Sequence, residues 1–119
     1  MGVVMLLEKE LAQEFTRIVD QYYPQAGEVL HHCYVKVIDS DLKRLGKRFY
    51  YLAIYCPNEI FTKVQEHKDV YKEIAENMGL VEVVYINATR LLRDPKSKLK
   101  QENPRFWLEL HWIATQHLN

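Results

Sequence analysis

The chain has 119 residues, 48% hydrophobic and 27% charged, and its 16 Lys+Arg are matched by 16 Asp+Glu. That is the size of one domain able to bury its own core. The composition excludes a disordered chain, and the charge balance excludes a global field that draws the molecule to nucleic acid or an anionic membrane.

Cys33 and Cys56 stand outside any C-x-x-C motif. Two thiols make no disulfide framework, and a reducing compartment is the default. The apolar start, Met1 to Leu7, runs at once into Glu8-Lys9-Glu10. It is too short for a signal core or a membrane span, so a cytoplasmic protein without membrane attachment is expected. Residues 1–4 read as a disordered extension of a single domain covering 1–119.

Leu7, Leu11, Phe15, Ile18 and Tyr22 recur at helical spacing over 6–23, with charged residues between them, which predicts an amphipathic helix. Pro24 stops it and 25–27 reads as a turn. Residues 29–38 read as a first strand, with Val29, His31, Cys33, Val35 and Val37 on its core face. Asp39 to Lys47 then reads as a long mobile loop of a hairpin.

The second strand, Arg48 to Cys56, is the most informative stretch. Side chains alternate along a strand, so Tyr50, Leu52, Ile54 and Cys56 share one face, and Phe49, Tyr51, Ala53 and Tyr55 the other. The first is core. The second is nearly all aromatic and needs a cover.

After Pro57, Asn58 reads as the N-cap of one long helix through Met78, with Gly79 as its left-handed C-terminal residue. Leu80 to Ile86 is a third strand, placed parallel to the second by the intervening helix. Residues 87–93 read as a short helix or turn, and 94–102 as the least ordered stretch. Asn103-Pro104 starts a last helix with Phe106, Trp107, Leu110, Ile113, Ala114 and Leu118 as its apolar residues. The fold class is α+β: a three-stranded mixed sheet, antiparallel hairpin plus crossover strand, in αββαβα order with helices packed on the sheet.

Three groupings carry the functional expectations. Tyr34, Phe49, Tyr51 and Tyr55 form a layer buried beneath the last helix, a platform on which bases stack, or a homodimer interface in which the face packs on its twin. Trp107 and Trp112 cannot face the same way on that helix, so one must find cover elsewhere, which favours a protein partner. The basic segments Lys43, Arg44, Lys47, Arg48 and Arg90, Arg93, Lys96, Lys98, Lys100, Arg105 make a phosphate patch if both lie at one end of the sheet. His31, Cys33 and Cys56 on one face are three soft ligands for zinc, read here as core residues, so no metal or cofactor is assigned.

No nucleophile motif, phosphate-cradling glycine loop or dinucleotide fingerprint occurs, and no catalytic residue is assigned. Gly46 to Tyr55 loosely resembles the basic-aromatic strand of RNA-recognition modules, but no glycine follows the basic residue. The element order is similar to that of type II KH and BolA-like arrangements over about half the chain, and His67 to Glu76 resembles the BolA-like helix. The Gly-x-x-Gly loop of KH domains is absent. The likeness implies regulatory pairing or nucleic-acid binding. The leading expectation is a non-catalytic interaction or regulatory module, homodimeric or bound to another protein. The rival is a nucleic-acid-binding domain, and the third an enzyme without a recognisable motif.

Overall fold

The computed structural model describes residues 2–44 and 46–115, with side chains over 7–41, at 46 and over 48–115. Helix α1 (Gly2–Tyr22) is followed after one residue by α2 (Pro24–Leu30), then strands β1 (Tyr34–Arg44) and β2 (Lys47–Cys56). A 3-10 turn at Asn58–Ile60 leads into α3 (Phe61–Gln65) and α4 (Lys68–Asn77). Strand β3 (Val83–Asn87), α5 (Ala88–Arg93), α6 (Leu99–Glu102) and α7 (Pro104–Thr115) complete the order. The sheet runs β1-β2-β3, with β1–β2 antiparallel and β2–β3 parallel. The expected α+β fold and strand directions are present.

Several boundaries differ from expectation, each for a physical reason. Residues 2–4 continue α1 instead of forming an extension. The supposed turn at 25–27 belongs to α2, because Pro24 takes its first position, where a missing N–H costs nothing. Consequently β1 starts five residues late, and His31 and Cys33 lie in the connection before it. The long hairpin loop is also absent: β1 and β2 pair out to Arg44↔Lys47, with an irregularity between Asp39 and Lys43. Asp41 adopts a φ of 61° there, and its N–H donates to Asp39 Oδ1 at 2.9 Å. This is a bulge that absorbs the polar residues.

The long helix expected over 58–78 breaks at Glu66–His67 into α3 and α4. Asn58 does not cap it; its Oδ1 accepts from Asn87 Nδ2 at 3.0 Å, and its N–H donates to Thr89 Oγ1 at 3.0 Å. Gly79 does adopt the left-handed conformation, φ 81°, just beyond α4.

Alternation along β2 builds two cores. On one face Leu52, Ile54 and Cys56 pack with Phe15 and Val19 of α1, Ala26 and Leu30 of α2, Val64 of α3, and Tyr71, Ile74 and Ala75 of α4. On the other, Ala53 and Tyr55 pack with Ala88 of α5 and with Phe106 and Leu110 of α7. The sheet is therefore sandwiched between helices. Each fully buried large side chain contributes about 1.5–3 kcal/mol by leaving water. Among the described side chains of α1, Phe15 and Val19 are the buried ones, whereas the expected Leu7 and Tyr22 are exposed. Leu118 lies outside the described residues.

Candidate functional site

Helix α7 decides the fate of the aromatic strand face. Asn103 caps it, its Oδ1 accepting from the Phe106 N–H at 3.2 Å, and Pro104 takes the first helical position. Phe106, Leu110, Ile113 and Ala114 form its buried stripe. The Phe106 ring centroid lies 5.1 Å from that of Tyr34 and 5.0 Å from that of Tyr55, the latter edge-on at 83°. The edge-to-face arrangement places ring hydrogens against a neighbouring π-face. The Lys36 ammonium adds a cation–π contact, 4.5 Å from the Phe106 centroid.

Tyr55 is thus buried beneath α7, while Tyr34 and Tyr51 are half-buried partners of the same cluster. Phe49 is half-buried near the start of β2, its carbonyl accepting from the Ser40 hydroxyl at 2.7 Å. Of the readings offered for this face, the layer beneath the last helix fits Tyr55 and its neighbours, because α7 folds back across its C-terminal half.

The opposite side of α7 is different. Leu108 and Trp112 are four residues apart, hence on one helical face, and are 60% and 64% exposed. Trp107 is half-buried and stacks on His111, with ring centroids 5.0 Å apart and planes inclined by 11°. The Lys100 ammonium lies 4.8 Å from a Trp107 ring centroid. So Trp107 finds cover within the chain and Trp112 does not. Leu108 was missing from the sequence expectations, although its four-residue spacing from Trp112 was readable.

The basic segments do not converge. Lys43, Arg44 and Lys47 pair around the hairpin tip; their side chains lie outside those described. Arg48, beside them, is ion-paired with Asp39. Cys56, at the far end of β2, pairs with Asn87, and α5 with Arg90 and Arg93 begins directly after it. Arg105 adjoins Phe106 at that same far end, and Lys96, Lys98 and Lys100 lie in the connection between α5 and α7. The length of β2 separates hairpin tip from α5, roughly 30 Å at a strand's rise per residue. The expectation of one patch fails because the second basic segment follows β3, whose parallel direction carries it away from the tip.

His31 is likewise removed from the cysteines. Its Nε2 lies 2.8 Å from an Asp20 carboxylate oxygen at an exposed position. Among the described residues no group of three or more His, Cys, Asp or Glu side chains is arranged to hold a metal ion.

A cleft of about 570 Å³ lies between α1, β1 and α7, lined by Glu8, Lys36, Arg105, Glu109 and the Tyr34 and Phe106 rings. Burial first, then a hydrogen bond with Glu109, pushes the Tyr34 phenol up to about 12. A second cleft, of about 530 Å³, runs between α4 and β3 and includes Tyr85, which burial also pushes up to about 12. Both phenols stay protonated at neutral pH and offer hydrogen-bond donors, not bases. Among the described residues, no helix is long and apolar enough to cross a membrane. Comparison with protein-family models, with curated proteins and with solved structures finds no match to this chain, so the similarity of element order to KH and BolA-like arrangements gains no support from them.

Proposed function

We propose that this chain is a non-catalytic interaction module of the cytoplasm that pairs with a second copy of itself through the outer face of α7. The supporting observation is the exposure of Leu108 and Trp112 on one helical face while the opposite stripe is filled. Large apolar side chains grouped on a surface mark interaction sites, and tryptophan is enriched among residues that dominate binding energy. A two-fold arrangement lets one patch serve both protomers. The patch is small beside the roughly 1,600 Å² of a standard stable interface, so association is weak and concentration-dependent.

Light scattering coupled to size exclusion tests the reading. The expected mass rises toward that of a dimer as protein reaches high micromolar concentration, and Trp112→Ser with Leu108→Ser returns it to the monomer. A strict monomer throughout that range removes the proposal. The nucleic-acid reading needs both basic segments on one side and bare rings. Their separation, and the covering of Tyr55 by α7, favour it less. Titration with a mixed-sequence oligonucleotide at low salt is expected to give no saturable binding.

A further inference from the structure

Cys33 and Cys56 come from the two ends of the β1–β2 hairpin. Tyr34 pairs with Tyr55 as the last recorded pair at that end. Cys33, in the bend just before β1, and Cys56 flank that pair, and continuing the register by one residue would bring them alongside each other. The Leu52 N–H donates to the Glu82 carbonyl at 2.9 Å, so by strict alternation the Cys56 backbone groups also face β3. The Cys33 N–H is spent on the Leu30 carbonyl at 2.9 Å. Opposed residues without mutual backbone hydrogen bonds approach to about 4.5 Å between Cα atoms, within the span a disulfide bridges. Cys56 lies in the core cluster and Cys33 packs against it. The Cys33 thiol donates to the Val29 carbonyl at 3.8 Å and the Cys56 thiol to the Ile54 carbonyl at 3.5 Å, and Cys56 is close enough to raise the Cys33 pKa.

We propose that Cys33 and Cys56 form a reversible disulfide by exchange with a small disulfide oxidant such as oxidised glutathione. Cys33 is half-buried and Cys56 fully buried, which assigns the order of events. The Cys33 thiolate attacks one sulfur of the oxidant, whose S–S bond breaks and releases one glutathione thiol. Cys56 loses its proton and attacks Cys33 Sγ, forming the Sγ–Sγ bond and releasing the second glutathione thiol. Two cysteine thiols are oxidised and one glutathione disulfide is reduced to two thiols.

The bond closes the whole hairpin into a ring at the end where α7 is anchored. Cys33 precedes Tyr34 and Cys56 follows Tyr55, and both tyrosines hold Phe106. Oxidation therefore stiffens the seat of α7 from the opposite face of the sheet. The Cys56 thiol and burial both hold the Cys33 proton, raising its pKa. Exchange is accordingly slow at neutral pH and accelerates about tenfold per pH unit, as the thiolate fraction does.

The experiment incubates the full chain with oxidised glutathione and reads intact mass, a non-reducing peptide map and thermal unfolding. The expected product is a monomer lighter by about 2 Da, with the Cys33 and Cys56 peptides linked and Tm raised on the order of 10 °C, all reversed by dithiothreitol. Cys33→Ser abolishes the mass loss, and Cys56→Ala stops at a glutathione adduct on Cys33. The proposal is overturned if the wild-type chain accumulates that adduct without closing, links between chains, or stays unreacted while both thiols react in denaturant. Because the mass and map are read on the wild-type monomer, the result stands whether or not the variants fold and whether or not α7 mediates pairing.

Discussion

The Tyr71 hydroxyl donates a 2.8 Å hydrogen bond to the Ala26 carbonyl, tying α4 to the first half of α2. The Tyr71 side chain is fully buried, with its ring 6.2 Å from that of Phe15. One residue thus joins three helices above the β2 core face. Tyr71→Phe keeps the packing and removes the donor, at an expected cost of about 1 kcal/mol. Tyr71→Ala also empties the space, raising the loss to roughly 3–5 kcal/mol. Urea unfolding of both variants separates the two contributions. An unchanged midpoint in Tyr71→Phe would show that the hydroxyl contributes nothing, and equal losses in the two variants that the ring adds nothing to it.

Phe106 is the corresponding joint on the other face. Phe106→Ala removes the ring that touches Tyr34 and Tyr55, with a loss of roughly 3–5 kcal/mol if α7 stays docked. Undocking is the cheaper response, because α7 is held by a small cluster of buried residues. Hydrogen exchange distinguishes them: α7 amides lose protection in the variant while β2 amides keep theirs. Uniform loss along the chain would mean that the two cores unfold as one unit.

Gly27 sits where α2 crosses α1. A Cβ built there would lie 2.2 Å from Asp20 Oδ1 and 3.0 Å from Asp20 Cα. The carboxylate can swing aside, but backbone at that distance cannot without shifting α2. Gly27→Ala is therefore expected to destabilise by about 1–3 kcal/mol, although alanine is the better helix former. The displaced carboxylate also leaves His31. Thermal unfolding checks the sign, and an unchanged or higher midpoint would show that the crossing is loose.

These residues also mark where the sequence was readable. Alternation along β2 separated Leu52 and Ile54 from Ala53 and Tyr55, since a period of two has one solution once a face is apolar. Asn103-Pro104 and Gly79 were legible because capping chemistry is local. Gly27 was not: it looks like a breaker, and only contact with Asp20, seven residues earlier and on another helix, shows why a glycine stands inside α2. Asp39, Ser40 and Asp41 read as a loop by composition, yet a bulge, a hydroxyl bond to the Phe49 carbonyl and the Asp39–Arg48 pair keep them in β1. For the candidate site, the spacing of Leu108 and Trp112 was visible. The side of α7 facing the sheet depended on where β3 delivered the chain.

Half-buried phenols tie stability to alkaline pH. Tyr34 and Tyr85 are each pushed from an ordinary 10.0 to about 12, mainly by burial. Between those values the unfolded chain has released the protons and the folded chain still holds them. Their contribution is therefore complete below about pH 10 and is lost as pH rises toward 12. Both rings are partly solvated, so screening reduces the size of the effect but not its sign. Tyr85 offers the sharper test, because its buried hydroxyl has no hydrogen-bond partner among the described residues. Tyr85→Phe removes an unpaired buried hydroxyl and is expected to be neutral or stabilising by about 1 kcal/mol at pH 7. It should also flatten the fall in urea midpoint between pH 10 and 12. A variant less stable at pH 7 would reveal a partner for the hydroxyl in solution, and an unchanged alkaline slope would assign the fall to other groups.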